Sequence, residues 1–354
     1  MAGQGHDVVP QLRDWSTSSS ELCREEQGGV RCLACAHHCL VPDGRSGKCG
    51  VRHAENGALR VPFAYVSSLA CDPIEKKPLY HFLPGCDVVS YGMLGCNLHC
   101  AFCQNWSISQ AGRDKAAAPL PQRTEAPEIV RQARRLNAPA IASTYNEPLV
   151  STEWSLAVFR LARAEGLKTC YVSNGFASPE ALSLLCPFLD AINVDLKCFS
   201  DDGYRQLGGR LQPVLDTIRH LVEHGVWVEA TTLVVPGFND STAELTQCAA
   251  FLASLSPDLP WHVSAYHAAY RWDHGPARTP LATIEKATAI GRAAGLRYIY
   301  AGNLPTHEFS DTTCPSCHRV VLARRGFSLR RHELANGACP ACRTPIPGVW
   351  GSPT

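Results

Sequence analysis

The feature that most constrains the fold is an alternation of short apolar runs and helical stretches that begins after Gly85. The runs have the length and composition of buried parallel strands, and they lie at 88–91, 140–144, 168–172, 191–195, 227–235 and 261–266. Start signals for the intervening helices occur at Thr124, Ser178-Pro179, Ser241 with Glu244, and Thr279-Pro280. Such alternation predicts right-handed crossovers and a parallel sheet. Six units are too few for a closed eight-stranded barrel, so we predict an α/β fold, an open partial (β/α)6 TIM-like barrel.

Polar residues follow most of the predicted strands, at the end where a barrel of this kind places its chemistry. Taken alone, a Glu-Pro pair after a strand is usually a turn, and a histidine beside aromatic residues usually belongs to the core. Their agreement in position favours a common site at the barrel mouth. The segments are Tyr145-Asn146-Glu147-Pro148, Ser173-Asn174-Gly175, Asp195-Leu196-Lys197, 235–240 and Tyr266-His267.

Three cysteines, Cys96, Cys100 and Cys103, follow the first predicted strand with CxxxCxxC spacing. Thiolates this close repel one another unless a metal absorbs their charge. Iron–sulfur clusters normally take one cysteine per iron, so a 4Fe–4S cluster held by three cysteines keeps one iron free for another ligand. The alternatives are a zinc knuckle, with His99 as a fourth ligand, or three unrelated buried cysteines. Zinc prefers four protein ligands at a structural site, and the spacing therefore favours iron and sulfide.

Charge and hydropathy exclude several classes of function. The 354 residues contain 33 Lys and Arg against 32 Asp and Glu, so no net field calls for nucleic acid or an anionic membrane. The first residues lack the apolar core of a signal peptide, and no window approaches the roughly 18 apolar residues of a membrane span. We expect a cytoplasmic protein. In that reducing compartment, tight clusters among the 18 cysteines indicate metal ligation rather than disulfides.

Two further cysteine clusters flank the predicted barrel. The first, Cys32, Cys35, Cys39 and Cys49, is a closed four-thiolate set that suits zinc or a second iron–sulfur cluster, with a slight preference for zinc. The second joins two CxxC pairs, Cys314 with Cys317 and Cys339 with Cys342, at the spacing of a zinc ribbon. We therefore expect a polar lead at 1–28, an N-terminal Cys-rich metal module and linker at 29–85, the barrel at 86–305, and a C-terminal four-cysteine zinc ribbon at 306–354.

The chain as a whole resembles the radical S-adenosylmethionine (SAM) enzyme of the AmmeMemoRadiSam system, which belongs to the pyruvate formate-lyase activating enzyme-like branch of the radical SAM superfamily. The stretches that carry the resemblance span most of residues 30–350. They are Cys32–Cys49, Asp72–Phe82, Gly95–Trp106, Tyr145–Pro148, Asp195–Lys197, Val235–Asp240, Ala301–Asn303 and the terminal Cys-rich ribbon. The resemblance implies a radical SAM barrel, SAM bound to the free iron, and a 5′-deoxyadenosyl radical released by one electron from the cluster.

The resemblance also implies roles for individual residues. The segment Tyr145, Asn146 and Glu147 would receive the SAM amino group, Ser173 and Asn174 would lie along the nucleoside, and Phe102 would pack on the adenine. Lys197 and His267 would be basic groups near the SAM carboxylate and ribose, and the candidate catalytic residues. Asp195 stands where activating enzymes help to bind a monovalent cation. Two departures argue against a strict glycyl-radical activase: Val172 replaces an aspartate of those enzymes, and no ferredoxin-like insertion follows Cys103.

The sequence thus predicts an enzyme that cleaves SAM reductively and abstracts hydrogen from a substrate it does not identify. The resemblance implies a one-electron donor such as flavodoxin or ferredoxin, with Memo-like and AMMECR-like proteins as possible partners. Two alternatives remain open. One is a glycyl-radical enzyme activase acting on a partner protein, and the other is a non-catalytic metal-binding scaffold.

Overall fold

The computed structural model describes residues 14–117, 120–272, 278–304 and 309–351. Its N-terminal part consists of seven short strands: β1 (Ser16–Ser18), β2 (Cys23–Glu26), β3 (Gly29–Cys32), β4 (Leu40–Val41), β5 (His53–Glu55), β6 (Ala58–Pro62) and β7 (Tyr65–Val66). Strands β1, β6 and β5 form one antiparallel sheet, and β2, β3 and β4 form another. The hairpin between β2 and β3 turns at Gly28 and Gly29, where a side chain on Gly29 would meet Val41 O at 2.3 Å. The expected boundary between residues 28 and 29 therefore falls inside a paired hairpin.

The main sheet has eight strands. In chain order they are β8 (Ser68–Pro73), β9 (Asp87–Gly92), β11 (Ala140–Ser143), β12 (Lys168–Ser173), β13 (Ala191–Asp195), β14 (Trp227–Val234), β15 (Trp261–Ala265) and β16 (Ile299–Gly302), while the intervening β10 (Gln122–Arg123) pairs with β7. The spatial order is β16-β15-β14-β13-β12-β11-β9-β8. Every pair from β9 to β16 is parallel, and β8 is antiparallel to β9.

The predicted partial barrel is confirmed, because all six predicted strands occupy neighbouring places in this open sheet. Two strands of this main sheet were not predicted. Strand β8 contains polar residues and ends at Pro73, and β16 is only four residues long and ends at Gly302. Each gains its place by pairing with a neighbouring strand rather than from a strong pattern of its own.

Eight α-helices occur in the described part of the chain: α1 (Trp106–Ser109), α2 (Ala126–Arg135), α3 (Thr152–Ala164), α4 (Pro179–Leu185), α5 (Asp201–Gln206), α6 (Leu211–Glu223), α7 (Thr242–Leu255) and α8 (Leu281–Ala293). Short 3-10 turns lie at Ile74–Lys76, Pro148–Ser151 and Cys186–Phe188. Ser178 Oγ and Ser241 Oγ accept hydrogen bonds from the backbone of α4 and α7, as predicted. The Thr124 prediction was wrong, since Glu125 directly precedes α2. None of the helices among the described residues is both long and apolar enough to cross a membrane.

A small antiparallel sheet at the C-terminus packs against the segment that follows β8. Its strands are β17 (Thr312–Thr313), β18 (Val320–Arg325) and β19 (Ser328–His332). The side chains of Arg324 and Glu75 are fully buried, with Nε and Oε1 3.3 Å apart. Arg324 Nη2 also donates to Tyr80 O at 2.7 Å. This buried ion pair fixes the C-terminal sheet to the barrel.

We expect Arg324→Met to destabilise the protein strongly. The substitution leaves the Glu75 carboxyl buried without its cation, and breaking a buried pair from one side costs about 3–5 kcal/mol. Chemical denaturation of the two proteins would measure the loss in the free energy of unfolding. The neighbouring Arg325→Met is the matched control, because Arg325 is exposed. An equal loss in both variants would show that the buried pair contributes nothing beyond general packing.

Candidate active site

The predicted site residues meet in one cavity of about 320 Å³ at the carboxyl ends of the parallel strands. Eleven of them line it: Cys96, Cys100, Phe102, Cys103, Tyr145, Asn146, Glu147, Ser173, Asn174, Asp195 and Lys197. Of the residues predicted for the SAM site, His267 does not line this cavity. It is exposed, and its Nε2 lies 3.0 Å from Nε2 of Gln104, a residue of the cavity rim.

The loop that carries the three cysteines is held in place by Asn146. The Asn146 side chain accepts a hydrogen bond from Met93 N at 2.9 Å and donates to Gly95 O at 3.2 Å. Gly95 has a φ of +91°, and a Cβ there would lie 2.7 Å from Val51 and 3.0 Å from Cys49 O. The strand end at β11 thus fixes the entry into the cysteine loop, and both amide groups of Asn146 are already used in doing so.

Arg113 is a second anchor of this loop that the sequence did not reveal. Its guanidinium donates to Leu98 O at 2.8 Å, to Cys96 O, and to Lys48 O at 2.6 Å. It thereby places a positive charge against the loop in which thiolates would accumulate negative charge. Arg113 lies in an irregular stretch without periodicity or motif spacing, and no sequence signal points to it.

The three thiols suit a cluster of several irons better than a single ion. Burial raises the pKa of Cys96 well above its ordinary value, and it raises that of Cys100 to about 11 although Lys197 opposes the shift. Without metal the Cys96 and Cys100 thiols are neutral, so a metal must displace their protons. Within the described ranges, only Cys314, Cys317, Cys339 and Cys342 have all their ligand atoms within 4.8 Å of one another. The wider spacing of Cys96, Cys100 and Cys103 fits a 4Fe–4S cluster, in which each thiolate binds a different iron.

Glu147 is the buried acid of the cavity. Its carboxyl accepts hydrogen bonds from Ser173 Oγ at 2.7 Å, Asn174 N at 2.8 Å and Leu149 N at 3.0 Å. Burial nevertheless raises its pKa to about 7. The Asn174 side chain then donates to Asn97 Oδ1 at 2.7 Å, which connects Glu147 to the cysteine loop. A cationic or amino ligand in the cavity would favour the ionised carboxylate.

Asp195 and Lys197 form an ion pair on the opposite strand end, with Oδ2 and Nζ 2.9 Å apart. Burial acts to lower the pKa of Lys197, but Asp195 and the neighbouring Cys100 outweigh it and hold the pKa well above its ordinary value. The ammonium therefore stays charged. It occupies the carboxylate for which the family resemblance implied a monovalent cation.

An aromatic cluster packs around Phe102, which lines the cavity. The Phe102 ring lies 5.4 Å from Phe238 and 5.7 Å from Trp272, measured between ring centroids. Phe102 is almost fully buried. Phe102 thus contributes an apolar side chain to the cavity wall, directly before Cys103 in the chain.

A further polar group, Asp72, Lys77 and Tyr145, stands behind the cavity. Tyr145 has the left-handed φ of +71°, which is costly for a side chain of this size. Its hydroxyl donates to Asp72 Oδ2 at 3.0 Å and accepts from Lys77 Nζ at 3.0 Å. Although burial opposes ionisation of Asp72, Lys76 and Lys77 lower its pKa to about 2. The run at 72–82 therefore supports the cavity as well as lining it, and it contributes Glu75, Lys76, Pro78 and Tyr80 to the walls.

The C-terminal cysteines form a compact four-thiol set. Cys314 and Cys342 have their sulfurs 3.4 Å apart, and those of Cys317 and Cys339 are 3.6 Å apart. A tetrahedral ion with metal–sulfur bonds of about 2.3 Å separates its sulfurs by roughly 3.8 Å. The geometry fits one metal ion, as the paired CxxC spacing predicted.

Comparison with known proteins agrees with this site. The radical SAM superfamily model matches residues 91–248. Uncharacterized protein MJ0808 of Methanocaldococcus jannaschii is 39% identical over 304 residues, which cover 85% of this chain and 89% of that protein. The isethionate sulfite-lyase activating enzyme of Nitratidesulfovibrio vulgaris is 30% identical over 122 residues, 33% of this chain and 40% of that enzyme. The pyruvate formate-lyase 1-activating enzyme of Escherichia coli is 26% identical over 165 residues, 44% of this chain and 64% of that enzyme.

The family match includes the cysteine loop and the strand ends that carry Glu147, Ser173, Asn174 and Lys197. The superfamily works with a 4Fe–4S cluster and SAM, and the widely spaced thiols of the cavity fit that cluster. The chain therefore contains a radical SAM superfamily domain at residues 91–248, and over part of its length it is similar to two activating enzymes.

Proposed function

We propose that this protein cleaves SAM reductively at a 4Fe–4S cluster held by Cys96, Cys100 and Cys103, and uses the resulting radical to abstract hydrogen from a substrate. One observation carries the proposal: a single clamped loop presents three thiols, Cys100 buried and the other two half-buried, to a polar cavity that the buried Glu147 also lines. The cluster and SAM supply the electron transfer and the 5′-deoxyadenosyl radical. The protein supplies orientation, charge and exclusion of water.

Each side chain of the cavity has a role in this proposal. Glu147 binds the SAM amino group. Ser173 and Asn174 donate hydrogen bonds that orient the Glu147 carboxylate. Lys197, kept charged by Asp195, binds the SAM carboxylate. Phe102 offers its ring to the adenine.

Three other residues act further from the bound ligand. Tyr145 and Asn146 are positioning residues, since Tyr145 supports the cavity from behind and Asn146 clamps the cysteine loop. His267, proposed to be a basic group near the ribose, lies at the rim beside Gln104.

The direct test is product analysis. Protein reconstituted anaerobically with iron and sulfide, reduced with dithionite and incubated with SAM should release methionine and 5′-deoxyadenosine in equal amounts. Omission of dithionite is the control, since the cleavage consumes one electron. A cluster-loaded protein that binds SAM and releases neither product would overturn the proposal.

We further propose that the protein acts in the cytoplasm as the radical SAM enzyme of an AmmeMemoRadiSam system. A flavodoxin or ferredoxin would serve as electron donor, and Memo-like and AMMECR-like proteins as partners. The support is the match of the Asp72–Phe82 run and the two outer cysteine clusters to that system. Product analysis with the candidate partners present and absent tests this assignment. New products that require a partner would support it, and identical product profiles would argue against it.

A glycyl-radical activase is the second candidate, and the activating-enzyme relatives favour it. In this reading the hydrogen donor is the backbone of a partner protein. Val172, which lines the cavity where such activases carry an aspartate, argues against it. The activase predicts a stable organic radical on the partner, visible by electron paramagnetic resonance. Turnover of a small molecule without any partner would count against it.

The C-terminal set Cys314, Cys317, Cys339 and Cys342 is proposed to bind zinc. Its short sulfur–sulfur distances suit a single tetrahedral ion, and its neighbouring apolar cluster, which contains Tyr298, Tyr300 and Val321, is small. The ion would hold together a sheet that buries little surface of its own.

A further inference from the structure

We propose that Cys32, Cys35, Cys39 and Cys49 bind a second 4Fe–4S cluster, and that this cluster relays the electron to the SAM-binding site. The proposal rests on the function proposed above and adds a redox site and its place in electron delivery. The cysteine spacing alone suited zinc or a cluster, and the sequence analysis slightly preferred zinc. The proposal takes the other alternative, the cluster.

The first step is that these four cysteines form a built site. Cys32, Cys35 and Cys49 are buried and Cys39 is half-buried. Beside them lies Arg52, which is 1% exposed. Two of its guanidinium nitrogens bind the Glu153 carboxylate, each at 2.7 Å, while its buried Nε has no hydrogen-bond partner among the described residues.

Arg52 points to negative charge at this site. A buried cation with one unpaired N–H is costly unless negative charge lies nearby. Thiolates bound to metal supply that charge, whereas four neutral thiols do not.

The second step separates a cluster from a single ion. The C-terminal four-thiol set has sulfur contacts of 3.4 and 3.6 Å, and all four of its sulfurs lie within 4.8 Å of one another. Within the described residues, no three of the four N-terminal sulfurs meet that limit, and neither do the three of the SAM site. A zinc ion requires the short spacing. The N-terminal set therefore has the wider spacing of the cluster site, although it has the ligand number of the zinc site.

The third step is the contact between the two cysteine loops. Arg113 Nη2 donates both to Lys48 O, at 2.6 Å, and to Cys96 O. Lys48 directly precedes Cys49, so one guanidinium joins the backbone of a ligand of the SAM site to the residue before a ligand of the N-terminal set. A second link runs from His37 Nε2 to Asn97 O at 2.8 Å. The two sites thus lie side by side, and the half-buried Cys39 gives the N-terminal set an edge toward solvent.

The proposed relay would transfer one electron from the donor through the two clusters, and no bond would be made or broken until the electron reaches SAM. A reduced flavodoxin loses one electron and the N-terminal cluster gains it. That cluster then returns to its oxidised state as the SAM-site cluster is reduced. The electron finally enters the SAM sulfonium bond as it breaks, so each SAM cleaved consumes one electron from the donor.

Metal content and Mössbauer spectra of the full-length protein test the cluster. After anaerobic reconstitution with iron, sulfide and zinc, we expect about eight irons per chain, since each 4Fe–4S cluster holds four. Cys39→Ser should lose the cluster whose spectrum SAM does not change, and keep the one that SAM perturbs. Cys23→Ser is the matched control, because Cys23 lies directly opposite Cys32 in the β2–β3 hairpin but outside the set of four. About four irons and a second zinc in the unsubstituted protein would overturn the assignment without reference to any variant.

Stopped-flow reduction tests the relay. With reduced flavodoxin, the SAM-site cluster of the unsubstituted protein should be reduced in a fast phase that Cys39→Ser loses. With dithionite, which reaches the cavity directly, Cys39→Ser should still form 5′-deoxyadenosine. An unchanged fast phase in a Cys39→Ser protein that has lost its second cluster would refute the relay. Failure of the unsubstituted protein to cleave SAM would instead refute the proposed function, and the iron count would stand independently.

Discussion

Replacing Cys100 with alanine is expected to abolish both the cluster and SAM cleavage. Cys100 is the middle ligand of the proposed site and is nearly fully buried, so no solvent ligand can replace its thiolate easily. Substituting a mere outer-shell partner of a metal site typically costs 10- to 100-fold, and we expect loss of this ligand to exceed about 100-fold. The measurements are iron and sulfide content, and 5′-deoxyadenosine formed with dithionite.

The matched control for this substitution is Cys248→Ala. Cys248 is also buried, but it lies in α7 away from the cavity. It should lose only the small packing energy of a sulfur atom and keep full iron and turnover. Retention of cleavage by Cys100→Ala would mean that the three-cysteine loop is not the site of the chemistry.

The frame of the barrel and the position of the three-cysteine loop at its mouth were predictable from the sequence. Six buried strands are recognisable in the sequence because parallel strands covered on both faces must be continuously apolar. Once those strands are placed, topology alone brings the segments around Glu147, Ser173 and Lys197 to one edge. The cysteine spacing then supplies the chemistry. Each of these signals is local or periodic, which is why a single sequence reveals it.

The side chains that hold the site were not predictable in the same way. Arg113 anchors the cysteine loop, and Tyr145 joins Asp72 and Lys77 across about seventy residues of chain. Such contacts depend on where distant segments meet, and they leave no spacing pattern. His267 illustrates the converse, since its position after β15 suggested a cavity residue, while the structure places it at the exposed rim.

The two outer cysteine sets show a third limit. Both contain four thiols, and sequence spacing favoured zinc for each. Only the distances between sulfurs distinguish the two sets. The number of ligands can be counted in the sequence, whereas the distances between them depend on how the loops fold.

Glu147→Gln is expected to weaken SAM binding by about 2 kcal/mol or more at pH 8, roughly 30-fold in Kd. The carboxylate is buried and already accepts three hydrogen bonds. Its amide analogue keeps the shape but loses the negative charge, and its NH2 group faces donors rather than acceptors. Binding is measured through the change that SAM causes in the spectrum of the reduced cluster. Glu244→Gln is the control, because Glu244 accepts a backbone hydrogen bond from Phe199 and does not line the cavity.

The same pair of proteins should differ in pH dependence. Burial raises the pKa of Glu147 to about 7, so at pH 6 the carboxyl is mostly protonated and SAM must expel a proton to gain the ionised partner. At pH 8 the carboxylate is already ionised. The affinity of the unsubstituted protein should therefore rise from pH 6 to pH 8, by up to about tenfold for each unit below the pKa. Any titration of SAM itself affects both proteins equally. The difference between their curves of affinity against pH therefore isolates the contribution of Glu147. Parallel curves would exclude this carboxyl as the group that receives the SAM amino group.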